Sequence, residues 1–331
     1  MYKQILIPMD GTPCSERAAR VGLALARGLR SHVTLTHVID QVALFTTELQ
    51  QADEKRIAEI FIEQWMNEAR RLGVHAISSV TSGPNVTESI SRMAEYGACD
   101  LIVMGTHGRE GIPRAIWGSV AERVAHETSV PVMFVRRSDV DFAHGISPEF
   151  ARGTEHALGP KFERILVPID ADQISPTALA QAVGLARQLN ATLELMHVTI
   201  NPTSRWSELE LRPLYNGKML VETQRIMRDA LSQIGTDSLE AKQVEISELQ
   251  GGLQAISRVI VRHAKRSGAD LIVMGTNART GVLRWLVGSV AEAVIHHAEV
   301  PVLLVRALEV RALHSERMAN AVGIPNLEPK V

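Results

Sequence analysis

"DLIVMGTHGREGIPRAIWGSVAERVAHETSVPVMFVR", residues 100–136, returns at residues 270–306 as "DLIVMGTNARTGVLRWLVGSVAEAVIHHAEVPVLLVR". The two stretches agree at 22 of 37 positions, far above chance. Working outward, "YKQILIPMD" (2–10) matches "FERILVPID" (162–170), and "LTHV" (35–38) matches "LMHV" (195–198), both at an offset of 160. The long block repeats at an offset of 170, so the second copy carries ten extra residues after its second strand. A period this long is no solenoid unit; it reads as two copies of one domain. The expected boundaries are 1–137 and 161–307, with a linker at 138–160 and a tail at 308–331.

Each copy alternates strand and helix signals. In the first, "QILIPM" reads as a short buried strand. A helix is expected to start at Ser15 as N-cap and run to about residue 30. "HVTLTHVI" reads as a strand, 46–72 as a longer helix, 74–81 as a strand and 86–96 as a helix. "DLIVMG" is a continuous apolar strand, 119–127 a helix, and "VPVMFVR" closes the copy. The second copy repeats this order, with Ser175 and Pro176 as N-cap and first helical residue. Continuous apolar strands alternating with helices predict an α/β fold with a parallel sheet covered on both faces.

The chain has 331 residues, 45% hydrophobic and 22% charged, with a formal charge of −2. That balance offers no electrostatic footprint for nucleic acid. Two cysteines, Cys14 and Cys99, make no disulfide framework and fit a reducing compartment. No apolar run approaches the ~18–20 residues of a spanning helix, and the N-terminus reads as a strand rather than a signal peptide. A cytoplasmic protein with no membrane partner is the expectation.

The segment 105–119 leaves a strand and enters a helix, where ligands sit in open α/β sheets. Gly105 ends the strand, and Gly118-Ser119 opens a helix whose first amide groups suit an anion. The segment is neither a Walker A loop nor a GxGxxG fingerprint. "SVAE" at 119–122 and 289–292 also has the spacing of a capping box, in which the serine merely caps its helix. Both readings stand at this level.

Gly105, Gly108, Gly118 and Ser119 fit the pattern G-x2-G-x9-G-[S/T]. With "DLIVMGT" before it and "VPVMFVR" after, the chain resembles the ATP-binding branch of the universal stress protein family, in its tandem two-domain form. The resemblance covers about 1–137 and 161–306. It implies Rossmann-like domains, each an open twisted five-stranded parallel sheet of order 3-2-1-4-5, with ATP as ligand and Mg²⁺ beside it. In that family the residues matching Pro8 and Met9 line adenine, and the acid matching Asp10 lies by the nucleotide, where it could help hold Mg²⁺. Asp10 also reads as a loop acid that caps the next helix. Val38 matches the position that reads the adenine edge, and Met104 packs on base or sugar. Gly108, Gly118, Ser119 and Val120 hold phosphates, and Arg109 adds charge.

The second copy retains Pro168, Asp170, Val198, Met274, Gly275, Gly288, Ser289 and Val290 but has Ala278 where the first has Gly108. The first half is therefore expected to be the competent ATP site and the second a degenerate one, its outer glycines kept for folding. His37 and His197 read as packed histidines rather than ligands, and no Ser/His/Asp arrangement is present. The resemblance further implies a nucleotide-dependent switch in stress response with at most slow ATPase activity. It also implies pairing of the two final strands into an intrachain pseudo-dimer. A homodimer through 201–215, which carries Trp206 and Tyr215, stays open. So does a scaffold or carrier whose pocket takes another ligand, such as a lipid-linked nucleotide. An adenylating enzyme would carry a His-x-Gly-His signature, which is missing here.

Overall fold

The computed structural model describes residues 1–41, 48–106, 118–136, 161–169, 176–200, 241–248, 253–276 and 287–306, with isolated positions at 225, 228 and 232. The linker, the tail and the 201–215 stretch lie outside the described residues. The first half runs β1 (Gln4–Pro8), α1 (Pro13–Leu29), β2 (His32–Asp40), α2 (Glu48–Arg71), β3 (Ala76–Gly83), α3 (Val86–Tyr96), β4 (Leu101–Gly105), α4 (Ser119–Glu127) and β5 (Val132–Val135). The second runs β6 (Arg164–Ile169), α5 (Pro176–Leu189), β7 (Thr192–Ile200), β8 (Ala241–Glu248), α6 (Leu253–Ser267), β9 (Leu271–Thr276), α7 (Ser289–His297) and β10 (Val302–Arg306).

The strands form one ten-stranded sheet in the order β3-β2-β1-β4-β5-β10-β9-β6-β7-β8. Each half has the order 3-2-1-4-5, and every pairing inside a half is parallel. The halves join edge to edge through β5 and β10, which pair antiparallel with Met133 opposite Leu303. Each of these strands is apolar and would otherwise be an open edge, the sheet feature most prone to stray pairing. Pairing them covers both.

Successive strand residues point to opposite faces, so each strand feeds two cores. Ile5, Ile7, Val103, Met133 and Val135 belong to one cluster, which takes in α1 and α5 and runs across the seam. Leu6, Ile102, Met104, Phe134 and Val124 belong to the other, under α3 and α4 and their counterparts α6 and α7. This double burial is why the strands read as unbroken apolar runs.

Two local expectations are corrected. Helix α1 is capped by Thr12, not Ser15: the Thr12 side chain accepts from the Ser15 amide, and Pro13 supplies the first helical residue. Proline has no N–H to satisfy there and its φ is already helical, so the start moves three residues upstream. Strand β3 begins at Ala76 rather than 74, because Val74 N–H still bonds back to Ala69 C=O at 2.9 Å. Gly73 (φ +70) makes the helix-ending turn that allows this.

The aspartates that open the repeated block pin the base of each half. Asp100 accepts from the amides of Lys3 and Gln4 at 2.7 and 3.0 Å. Asp270 accepts from Glu163 at 2.6 Å and from Arg164 at 3.1 Å. Burial nevertheless raises the Asp270 carboxyl to about 6, against the lowering effect of those amides. A folded-state pKa above the unfolded value favours the fold below about pH 4 and loses that contribution as pH rises through 6. Between pH 4 and 7.5, wild type is expected to lose about 1 kcal/mol more than Asp270→Asn, after discounting for partial solvent exposure. Urea unfolding of both proteins at the two pH values checks this.

Candidate functional site

Strands β1 and β4 are parallel neighbours, with Ile5 opposite Leu101 and Leu6 opposite Ile102. Helix α1 leaves β1 toward one face, and α4 follows β4 on the other. The carboxyl ends of these strands therefore flank the switch point of the sheet, where a crevice opens. Asp10 stands at its edge, exposed to solvent. Its Oδ1 accepts from the Thr12 amide (3.0 Å) and the Thr12 hydroxyl (2.6 Å), and its own amide donates to Ser15 Oγ (3.3 Å). Asp10 thus braces the capping threonine rather than capping the helix itself. Both bonds use the same carboxylate oxygen.

His37, near the end of β2, fixes the same turn from behind. Its Nδ1 lies 2.8 Å from Met9 C=O, and His197 Nδ1 lies 2.9 Å from Ile169 C=O in the second half. A carbonyl only accepts, so Nδ1 carries the proton in both rings. These histidines hold the loop after β1 and β6, in line with the packed role expected for them. Among the described residues no group of three metal-ligating side chains occurs.

Met9 and Met104 are separated by the sheet. The Met9 side chain is buried in the α1 face, whereas Met104 belongs to the opposite cluster. Alternation along β1 places Pro8 with Leu6 on the Met104 face. Val38 and Val120 pack against the Met104 cluster and stay partly exposed, and Val198 and Val290 repeat this beside Met274. The structure thus brings Pro8, Val38, Met104 and Val120 to one side of the crevice and leaves Met9 only its main chain to offer. Pro168 is half-buried at the matching place in the second half. Gly108, Arg109, Asp170 and Ala278 lie outside the described residues.

Gly105 serves packing. A Cβ there would sit 2.9 Å from Cys14 Sγ and 3.0 Å from the Cys14 carbonyl carbon, so only glycine lets the start of α1 lie against β4. Gly275 takes the equivalent strand-end place in β9. Gly118 N–H donates to Thr106 C=O at 2.7 Å, tying the start of α4 to the end of β4.

Gly118 and Gly288 overturn two expectations. They, not Ser119 and Ser289, are the N-caps of α4 and α7. The serines are first helical residues, which puts Glu122 and Glu292 one position too far along for a capping box. A glycine cap brings no side chain to the first amide groups, which are left available to an anion. Nor does folding demand glycine at Gly288. Its φ is −60°, open to any residue, and a Cβ there would meet no atom of the described residues within 4 Å. Gly118 has the same extended geometry, with φ −61° and ψ 132°.

The comparisons with known proteins agree with this fold. The model of the universal stress protein family matches residues 1–136 and again 161–306. A universal stress protein of Mycobacterium tuberculosis is 26% identical over 318 residues, 91% of this chain and 96% of the relative. One from Methanocaldococcus jannaschii is 32% identical over 144 residues, 41% of this chain and 84% of the relative. The crystal structure of a universal stress protein from Archaeoglobus fulgidus superposes with a TM-score of 0.65 at 19% identity, over 92% of this chain and 98% of that one, a likeness of fold. With the family pattern matched over both halves and the strand order 3-2-1-4-5 in each, the chain belongs to the universal stress protein family.

Proposed function

We propose that this universal stress protein binds ATP with Mg²⁺ in its first half and acts as a nucleotide-dependent switch in stress response. The observation that carries the reading is the pair of glycine-capped helix starts, where neither a side-chain cap nor, at Gly288, any steric demand accounts for the glycine. A phosphate passing close to the backbone accounts for it, because a Cβ would stand in its path. Pro8, Val38 and Met104 offer an apolar bed for the base, and Val120 the helix-start amide for phosphate. Asp10, beside the switch point, offers a carboxylate to ribose hydroxyls or to Mg²⁺. Gly108, Ser119 and Arg109 complete the first-half grip in this reading. The metal would neutralise phosphate charge, and the reading is of binding with at most slow hydrolysis.

The second half keeps Gly288 and Ser289 but carries Ala278 in its loop. It takes a nucleotide with fewer phosphates, or ATP weakly. A calorimetric titration of the full chain with Mg-ATP is expected to show one tight site per chain. Ala278→Gly should strengthen the weaker site about 5–10-fold, as expected if a left-handed backbone costs alanine ~1 kcal/mol or more. Two equal sites in the unmodified chain would overturn the division of roles. Native mass spectrometry of protein purified without added nucleotide separates this reading from a carrier of another ligand.

A further inference from the structure

We propose that β3, the outer edge of the first half, docks against β3 of a second copy of this chain, the two strands pairing antiparallel about a twofold axis at Ser79. β3 is one end of the ten-stranded sheet, and β8 is the other. The two ends differ in composition. β8 carries Lys242, Glu245 and Glu248 among its eight residues, the kind of charge by which natural sheets discourage edge-to-edge pairing. β3, "AISSVTSG", has eight residues with no charge and no proline. Its Ile77 is 63% exposed, and α2, which packs against β3, exposes Ile57 and Ile60.

The backbone defines what that edge offers. In a parallel pair, alternate residues of a strand bond to the same neighbour. Val33 N–H donates to His75 C=O at 2.9 Å, and Gln41 N–H donates to Gly83 C=O at 3.0 Å. The odd-numbered residues from His75 to Gly83 therefore turn their backbone groups to β2. Ala76, Ser78, Val80 and Ser82 turn their amides and carbonyls outward. Antiparallel pairing with a second copy satisfies all of these in one register. Ala76 then stands opposite Ser82 and Ser78 opposite Val80, each pair exchanging two hydrogen bonds. Between them Ile77 meets Thr81, and Ser79 meets Ser79 of the second copy. No charges meet along this register, and the contact is self-complementary and closes as a dimer.

The chain already makes a joint of this kind at its seam. There β5 and β10 pair antiparallel, and α1 and α5 lie on one face of the sheet, with Gln188 Nε2 donating to Leu29 C=O at 3.4 Å. A twofold axis perpendicular to the sheet at β3 likewise brings α2 and its copy to one face, setting two helices with uncovered isoleucines next to each other. A strand of a different protein would need no self-complementary register, so the register favours a second copy as the occupant. Pairing β3 to β8 of the next copy would leave a free edge at each end and grow into an open filament.

Sedimentation velocity of the full chain over a range of concentrations is expected to show a reversible monomer–dimer equilibrium. Ser79→Lys sets two ammonium groups face to face on the axis and should weaken association at least about tenfold. Ser79→Cys in a glutathione redox buffer should give a disulfide-linked dimer, because opposed residues of a non-hydrogen-bonded pair lie ~4.5 Å apart at Cα, within disulfide reach. Ser78→Cys should not, since its two copies sit diagonally at ~7–8 Å. The native Cys14 and Cys99 are buried and do not compete. A monomer at every concentration, open-ended assembly, or a dimer that Ser79→Lys leaves intact would overturn the proposal. So would a disulfide-linked dimer from Ser78→Cys with none from Ser79→Cys. A thermal melt reports whether Ser79→Lys folds. If it does not, the two cysteine variants decide alone, since cysteine is close to serine in size.

Discussion

Leu303→Asp is expected to lower the free energy of unfolding by at least about 4 kcal/mol, a large share of the ~5–15 kcal/mol of an ordinary folded protein. Leu303 has no solvent exposure and faces Met133, also fully buried, in the antiparallel pair that joins the halves. The substitution removes apolar burial and sets an unpaired carboxylate in the cluster that spans both halves. Leu303→Met, which nearly conserves volume, should cost less than about 1.5 kcal/mol. Urea unfolding of the two variants beside wild type is the measurement. A small loss for Leu303→Asp would mean that the seam contributes little and that each half stands alone.

Gly118→Val is expected to leave the chain folded and to weaken ATP binding at least about tenfold. The φ of −61° and ψ of 132° suit valine, so the fold should lose only the ~1 kcal/mol of a poor cap residue. The added side chain would stand where the phosphates approach the first amides of α4. Calorimetry gives the affinity and a thermal melt the stability. Near-normal ATP affinity in a folded variant would show that no phosphate passes Gly118. Affinity and stability lost together would make Gly118 a folding residue instead.

Some features were legible in the sequence because they are written in local pattern. Matching apolar runs at two offsets announce a duplicated α/β unit. The continuous character of "DLIVMG" announces a strand buried on both faces. The histidine in the second strand of both copies is a readable signal as well. It recurs as "THV" and "MHV", and in the structure both rings hold the turn that presents the carboxyl end of the first strand.

Other features were misread for definite physical reasons. Ser-x-x-Glu has the spacing of a capping box, but the cap is set by which residue leaves helical φ and ψ first. At Gly118 that happens one residue earlier. Gly105 and Gly118 look alike as letters and differ in function. One makes room for Cys14, a neighbour 91 positions away in sequence, and the other leaves helix amides uncovered. Met9 and Met104 looked like partners at one ligand, yet the pleat of adjacent strands sends their side chains to opposite faces.

By itself the sequence determined the duplicated unit, the strand and helix order within each copy, and the positions where the loops leave the strands. These follow from hydrophobic period, glycine placement and repeat, all of which act over short stretches of chain. Tertiary structure alone decided which glycines answer to packing and which do not. It also decided the antiparallel register, Met133 opposite Leu303, in which the expected pairing of the two final strands merges two sheets into one. Each of these depends on atoms distant in sequence, brought within contact distance only when β5 meets β10 and the helices close over the sheet.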